Sequence, residues 1–159
     1  MKRVLMLLML VTYPAISQTM AQTDLSITKP DDERLYHTPE VDVKPELKNG
    51  MYTLSMFISK NFKMPDVQNK KVKLFVGFVV EPSGSITDIK FIYMTAKTID
   101  ESKPALSEEQ KQYETDQLDT MKAESVRVLS QFTEVWKPAM KDGKAVRCQY
   151  NYPINFTLE

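Results

Sequence analysis

Few side chains in this 159-residue sequence have the types and spacing that catalysis or metal binding requires. His37 is the one histidine, and no second histidine or cysteine accompanies it in its polar segment. Cys148 is the one cysteine; its neighbours alternate as in a strand, which favours a buried thiol, and it cannot form an internal disulfide. The adjacent Glu108 and Glu109 would not face each other on a helix. We therefore predict no catalytic residue, no cofactor and no metal ion, because no nucleophile has a base to activate it.

The closing segment EVWKPAMKDGKAVRCQYNYPINFTLE has a pattern that points instead to binding through the backbone. Its Lys-Asp-Gly-Lys sequence predicts a tight turn, and the alternating residues that follow predict a last strand. Pro153 lies within this strand, and proline is mostly confined to edge strands, strand starts and bulges because it lacks an N–H. We therefore predict that the last strand is a sheet edge over at least part of its length. The predicted partner-binding residues are Gln149, Tyr150, Asn151, Tyr152 and Asn155.

An amphipathic helix is predicted well before this strand. Asn49 or Gly50 can open the helix, and Pro65 ends it. Between them, apolar residues recur at helical spacing and form one stripe, which indicates packing on a core. The residues of this stripe are Met51, Leu54, Phe57, Ile58 and Phe62.

A second amphipathic helix is predicted in the C-terminal half of the chain. Its apolar stripe indicates a helix that is capped by Asp116 and ends near Trp136, before Pro138. Residues 95–115, which precede it, are polar and acidic. They predict a solvated insertion that is partly helical after Pro104.

The segment KVKLFVGFVVEPSGSITDIKFIYM predicts a β-hairpin. On its first strand one face carries Val72, Leu74, Val76, Phe78 and Val80, and the other carries Phe75 and Val79. On the return strand Ile89, Phe91 and Tyr93 are in phase, whereas Ile86 is out of phase, which predicts a bulge just after the turn. Together, helix, hairpin, helix and strand predict an α+β fold. In this fold two helices pack on one face of a small, about three-stranded, antiparallel sheet.

The N-terminal residues have the layout of a secretory signal. Two basic residues precede a mostly apolar run of 13 residues from Val4 to Ile16, and Ala21 offers a cleavage site. Because a spanning helix needs roughly 20 apolar residues, we predict cleavage after Ala21 and export to the periplasm. A retained segment would instead anchor the chain in the inner membrane, facing the periplasm. Residues 22–48 are polar and carry three prolines, which predicts an extended or disordered leader before a domain over 49–159.

The charge balance argues against nucleic acid as a partner. Removal of residues 1–21 takes away two of the 21 basic residues and none of the 21 acidic ones, which leaves a net charge of about −2. A chain without a basic excess lacks the electrostatic attraction that phosphate backbones require.

Three segments, in order, resemble the C-terminal domain of TonB, in particular its shorter relatives. VDVKPELKNGM at 41–51 is similar to the family opening VxVKPEFPGGM, and LFVGFVVEPSGSITDIKFI at 74–92 is similar to the family hairpin VxFVVexdGsItdvkv. WKPAMKDGKAVRCQYNYPINF at 136–156 is similar to the closing WkPakqnGkpVrvkyxlPIxF. The similarity covers residues 41–158, about three quarters of the chain. The chain departs from the family in a shorter segment before the hairpin, MPDVQNKK, and in a longer, more acidic loop before the second helix.

The resemblance implies a periplasmic domain that recognises TonB-dependent outer-membrane transporters and so supports transmembrane transport. In that family a short transporter peptide adds a strand beside the domain's sheet. Backbone hydrogen bonds then supply affinity, and alternating side-chain pockets supply selectivity. A full family member also transmits force from an inner-membrane energy complex, which would be a partner here only if the N-terminal segment is retained.

Two other classes of function stay open at this stage. The same edge strand could pair with a second copy of the chain, which would give a homodimer with a structural or regulatory role and no part in transport. A small enzyme is the other class, although the sequence offers it no paired nucleophile and base.

Overall fold

The computed structural model describes residues 33–159. The predicted signal peptide and the start of the leader, residues 22–32, lie outside the described residues. The elements, in chain order, are β1 (Leu35–His37), a 3-10 helix (Thr38–Glu40), β2 (Glu46–Leu47), α1 (Met51–Asn61), β3 (Lys70–Val80), β4 (Ile86–Thr98), α2 (Glu108–Ser130), β5 (Trp136–Lys137), β6 (Ala139–Lys141) and β7 (Lys144–Leu158).

The predicted α+β fold with two helices is confirmed, but the sheet is larger than predicted. Instead of about three antiparallel strands, five strands form a curled mixed sheet, in the order β1, β7, β3, β4, with β6 paired to β7. β1 is parallel to β7, whereas the other pairs are antiparallel. β2 and β5 form a separate two-stranded sheet. The additional strands are only two or three residues long, too short to show a periodic pattern in the sequence.

The described part of the predicted leader is extended and is held by the domain. β1 lies beside residues 147–149 of β7, and Leu47 of β2 pairs with Trp136 of β5. Between these two strands, the N–H groups of Asp42 and Val43 donate to the carbonyl of Met140 at 2.9 and 3.1 Å. The leader therefore joins the sheet well before the predicted domain start.

α2 begins at Glu108, earlier than the predicted cap at Asp116. Ser107 and Gln110 form a capping box, which satisfies two N–H groups that the first turn would otherwise leave unpaired. The Ser107 hydroxyl accepts from the Gln110 N–H at 3.2 Å, and the Gln110 side chain accepts from the Ser107 N–H at 2.9 Å. The predicted insertion at 95–115 therefore comprises the end of β4, a loop and the first turns of α2.

Both helices end before their apolar stripes do. α1 lies where it was predicted but ends at Asn61, so that Phe62 follows it, and α2 ends at Ser130 rather than near Trp136. Phe62, Phe132 and Trp136 are nevertheless buried in the same core as the helices. The helical spacing of these residues thus identified core positions correctly but overestimated the length of the helix.

The predicted bulge in the hairpin is confirmed and lies at Asp88. Thr87 pairs with Val79 but Lys90 pairs with Gly77, so the register shifts at this point, and Asp88 has a φ of 49°. Non-glycine residues seldom adopt a positive φ, but aspartate is among those that tolerate it best. The bulge explains why Ile86 is out of phase with Ile89 and Phe91.

A second register shift, at Ile92, corrects the predicted phase of Tyr93. Phe91 pairs with Val76 and packs against the core, whereas Tyr93 pairs with Phe75 on the outer face of the sheet, the face opposite the helices. The two outer rings stack with their centroids 4.3 Å apart. On β3 the predicted alternation is confirmed, since all five residues of the predicted inner face are buried.

Trp136 lies at the junction of the hairpin turn, β5 and β7. Its side chain is 2% exposed, and its ring centroid lies 5.3 Å from that of Phe78 and 5.2 Å from that of Tyr150. Its backbone N–H donates to the carbonyl of Gly84 at 2.9 Å. Trp136 therefore connects the turn of the hairpin, through its backbone, to the last strand, through its ring.

Substitution of Gly84 by alanine is expected to destabilise the protein by about 2–4 kcal/mol, measured by urea unfolding. Gly84 has a φ of +86°, and a Cβ atom there would overlap the backbone carbonyl of Trp136. Gly143→Ala is the matched control, because Gly143 also has a positive φ, +74°, but has no atom near the position of a Cβ. The control is expected to cost only the backbone strain, about 1–2 kcal/mol. Equal costs at the two positions would contradict the close approach at Trp136.

Candidate peptide-binding edge

Within residues 33–159, one side of β7 has no paired strand from Tyr150 to Leu158. The opposite side pairs with β3 over eleven consecutive residue pairs, from Cys148 to Leu158, without a register shift. β6 pairs only with residues 144–146, and β1 only with residues 147–149. Within residues 33–159, no strand pairs with the remaining open part of β7, which we call the β7 edge (residues 150–158). The prediction that the last strand is an edge over part of its length is therefore confirmed.

Gln149 is the last residue of β7 that the leader occupies. It pairs with His37, and its carbonyl accepts a hydrogen bond from the Thr38 hydroxyl at 3.1 Å. After Thr38 the chain turns into the 3-10 helix, where the N–H of His37 donates to the Glu40 carboxylate at 2.6 Å. This corrects the predicted start of the binding edge from Gln149 to Tyr150.

The contact between Thr38 and Gln149 also shows which backbone groups face the open side. Successive residues of a regular strand direct their N–H and C=O groups to opposite sides. Because the Gln149 carbonyl is directed away from β3, the groups of Asn151, Asn155 and Thr157 face the open side as well. Pro153 follows the same parity and needs no partner for an N–H. The β7 edge thus presents three residues that can each donate and accept.

The other predicted site residues divide between the two faces of the sheet. Tyr150 and Tyr152 lie on the helix side, half-buried and packed against the core. Burial raises the pKa of both phenols. Asn151 and Asn155 lie on the outer face and are exposed. A strand added at the β7 edge would therefore meet aromatic side chains on one face and amides on the other.

The second free edge of the sheet, along β4, is less suited to strand addition. β4 pairs with β3 only, among the described strands, but its register shifts twice and it carries Asp88, Lys90 and Lys97. Bulges and charges of this kind are the features with which proteins protect edge strands from pairing. The β7 edge has no bulge and no charged residue. Of the two edges, the β7 edge is therefore the one better suited to the addition of a strand.

An ion pair fixes β7 to the end of β3 beside the leader. The Arg147 guanidinium donates to both carboxylate oxygens of Glu81, at 2.8 and 2.9 Å. These hydrogen bonds hold the pKa of Glu81 below its ordinary value. Such bidentate pairs have fixed geometry, so this contact helps to set the register from which the β7 edge extends.

The one cysteine and the adjacent Glu108 and Glu109 lie on different elements, β7 and α2. Cys148 is fully buried on β7, and desolvation raises the pKa of its thiol, which disfavours the reactive thiolate. Glu108 and Glu109 are exposed in the first turn of α2, where Glu108 pairs with Lys111 at 2.7 Å. Over residues 33–159 no group of three or more His, Cys, Asp and Glu side chains is placed to hold a metal ion.

Sequence reasoning missed Thr157 on the β7 edge and Thr38, whose hydroxyl donates to the carbonyl of Gln149 just before the edge begins. Thr157 could have been predicted, because it lies at the same alternate positions of the strand as Asn151 and Asn155. Thr38 could not have been found, because its contact depends on the parallel pairing of two segments separated by more than one hundred residues.

No protein-family model, curated protein or solved structure matches this chain. In the described part of the chain, neither helix has the length and apolar character needed to cross a membrane.

Proposed function

We propose that this chain is a periplasmic protein-binding domain of the TonB C-terminal type, which recognises TonB-dependent outer-membrane transporters by strand addition. The observation that carries the proposal is the β7 edge, which is regular, uncharged and open over residues 150–158. An extended transporter segment would become the next strand of the sheet at this edge. Export with cleavage after Ala21 is part of the same proposal.

The chemistry of the β7 edge supports recognition of an extended chain rather than of a folded surface. Asn151, Asn155 and Thr157 offer their N–H and C=O groups in one row, and Pro153 adds a carbonyl. Each ladder hydrogen bond contributes a net of about 0.5–1.5 kcal/mol, so several in a row give useful affinity without dependence on the partner's sequence. Selectivity then comes from the side chains on either face.

The resemblance to the TonB family supports the choice of partner. Its three motifs fall on elements in chain order, with α2 between the second motif and the third: the opening on β2 and the start of α1, the hairpin on β3 and β4, and the close on β5 to β7. The last of these motifs contains residues 150–156 of the β7 edge. The free part of this sheet therefore lies in the segment that carries the closing motif, which supports strand addition there.

The proposal is tested by titration of the mature protein with peptides from the N-terminal plugs of TonB-dependent transporters. Binding is measured during the titration by calorimetry or by fluorescence anisotropy. We expect saturable binding of one-to-one stoichiometry for a subset of a broad panel. Absence of binding across the panel would argue against the transporter assignment. A dimer that persists at low concentration and excludes all peptides would support self-pairing through the same edge instead.

A further inference from the structure

The outer face of the sheet carries a cluster of lysines beside the β7 edge. Lys71 and Lys73 lie on β3, and Lys97 of β4 is directly opposite Lys71. The three side chains line a shallow cavity of about 310 Å³, together with Thr95, Asn155 and Thr157. We call these three residues the lysine cluster.

Within residues 33–159, no ion pair neutralises the charges of the lysine cluster. All three lysines are exposed, and none of the ion pairs in the described part of the chain includes any of them. The ammonium group of Lys73 lies 4.8 Å from the centre of the Phe75 ring. Within residues 33–159, this ring is the one partner of that ammonium group. Like charges directly opposite each other on neighbouring strands destabilise a sheet. The chain thus keeps an unfavourable arrangement that an anionic partner would relieve.

The lysine cluster is continuous with the β7 edge. Asn155 and Thr157 belong to both. They line the cavity, and their backbone N–H and C=O groups face the open side of β7. A strand added to β7 would lie about 10 Å from β3, two interstrand spacings away. A lysine on β3 and an acidic side chain on the added strand can extend towards each other across Asn155. Together they can span this distance.

We propose that the segment captured at the β7 edge is an alternating acidic and apolar strand. Its Asp or Glu side chains lie on the outer face and pair with Lys71 and Lys73 on β3, and its apolar side chains lie on the helix side. There they contact Tyr150 and Tyr152, which are already half-buried against the core. This inference rests on the proposed function, since it specifies the sequence pattern of the strand that is added.

Electrostatics at this position acts mainly on selectivity. The lysines are solvent-exposed, so each new ion pair strengthens binding by about fivefold at most. Two such contacts, with Lys71 and Lys73, together with the nearby charge of Lys97, nevertheless separate an acidic strand from a neutral one of the same shape. The contribution decreases with added salt, because the Debye length falls from about 8 Å at physiological ionic strength to about 3 Å at 1 M.

The test uses two short synthetic peptides, one that alternates valine with aspartate and one that alternates valine with asparagine. We expect the acidic peptide to bind the wild-type protein about tenfold more tightly at low salt, and the difference to shrink at high salt. The variant K71Q/K73Q/K97Q is expected to lose the preference while it still binds the neutral peptide. The variant K71R/K73R/K97R keeps the charges and is expected to keep the preference.

A matched control replaces three exposed lysines outside the cluster, K44Q/K48Q/K60Q, and removes the same net charge. It is expected to retain the preference. Thermal unfolding of K71Q/K73Q/K97Q is expected at or above the wild-type temperature, because repulsion between Lys71 and Lys97 is removed. Equal binding of both peptides to the wild-type protein would overturn the acidic pattern but leave strand addition intact. Failure of both peptides to bind would overturn strand addition at this edge and the acidic pattern with it.

Discussion

Replacement of Asn155 by proline is expected to leave the domain folded and to weaken binding of a transporter peptide by about tenfold. The N–H of Asn155 faces the open side of β7, so the ladder between β7 and β3 does not use it. Pro153 already occupies an equivalent position two residues earlier. The substitution removes one donor from the β7 edge and restricts the backbone there, while the core side of the strand is unchanged. Urea unfolding and peptide titration measure the two effects separately.

Ile154→Pro is the matched control for this substitution. Ile154 pairs with Leu74, is buried, and directs its N–H towards β3. Proline there removes a ladder hydrogen bond and a core side chain, which is expected to cost at least about 3 kcal/mol and to unfold much of the population. Comparable destabilisation by the two substitutions would contradict the assignment of alternate residues to the open side.

Trp136→Ala is expected to destabilise the protein by about 3–5 kcal/mol in urea unfolding. The indole is among the largest fully buried side chains of the described chain, and it contacts the rings of Phe78 and Tyr150. Its loss leaves a cavity behind β7 that these rings cannot fill without moving. Because Tyr150 borders the β7 edge, we also expect weaker peptide binding in the fraction that remains folded.

Trp136→Phe separates burial from hydrogen bonding at this position. The Nε1 atom of Trp136 is buried without a hydrogen-bond partner among residues 33–159. Phenylalanine therefore removes volume and also an unsatisfied donor, and we expect a cost of only about 1–2 kcal/mol. A cost as large as that of the alanine variant would show that the indole N–H contributes an interaction of its own.

The sequence was most informative where a pattern was long. The alternation on β3 identified all five inner residues, and the phase of Ile86 located a bulge that lies at Asp88. Both features depend on side chains that repeat over a complete strand. Pro153 likewise indicated an edge, because the missing N–H of proline restricts its place in a sheet.

What the sequence could not specify depends on contacts between distant segments. β1 and β2 are very short and acquire their structure by pairing with β7 and β5. The assignment of Gln149 to the open edge was wrong for this reason, since the leader covers it. The lysine cluster also required the register, because the sequence does not reveal that Lys97 lies opposite Lys71.

Amide hydrogen exchange along β7 tests the central claim most directly. In the free protein we expect fast exchange for the N–H groups of Asn151, Asn155 and Thr157, and slow exchange for those of Tyr152 and Ile154. A saturating transporter peptide is expected to slow exchange at the first three residues and to leave the β4 edge unchanged. Slow exchange at these three residues in the free protein, or protection by the peptide along β4 alone, would contradict strand addition at β7.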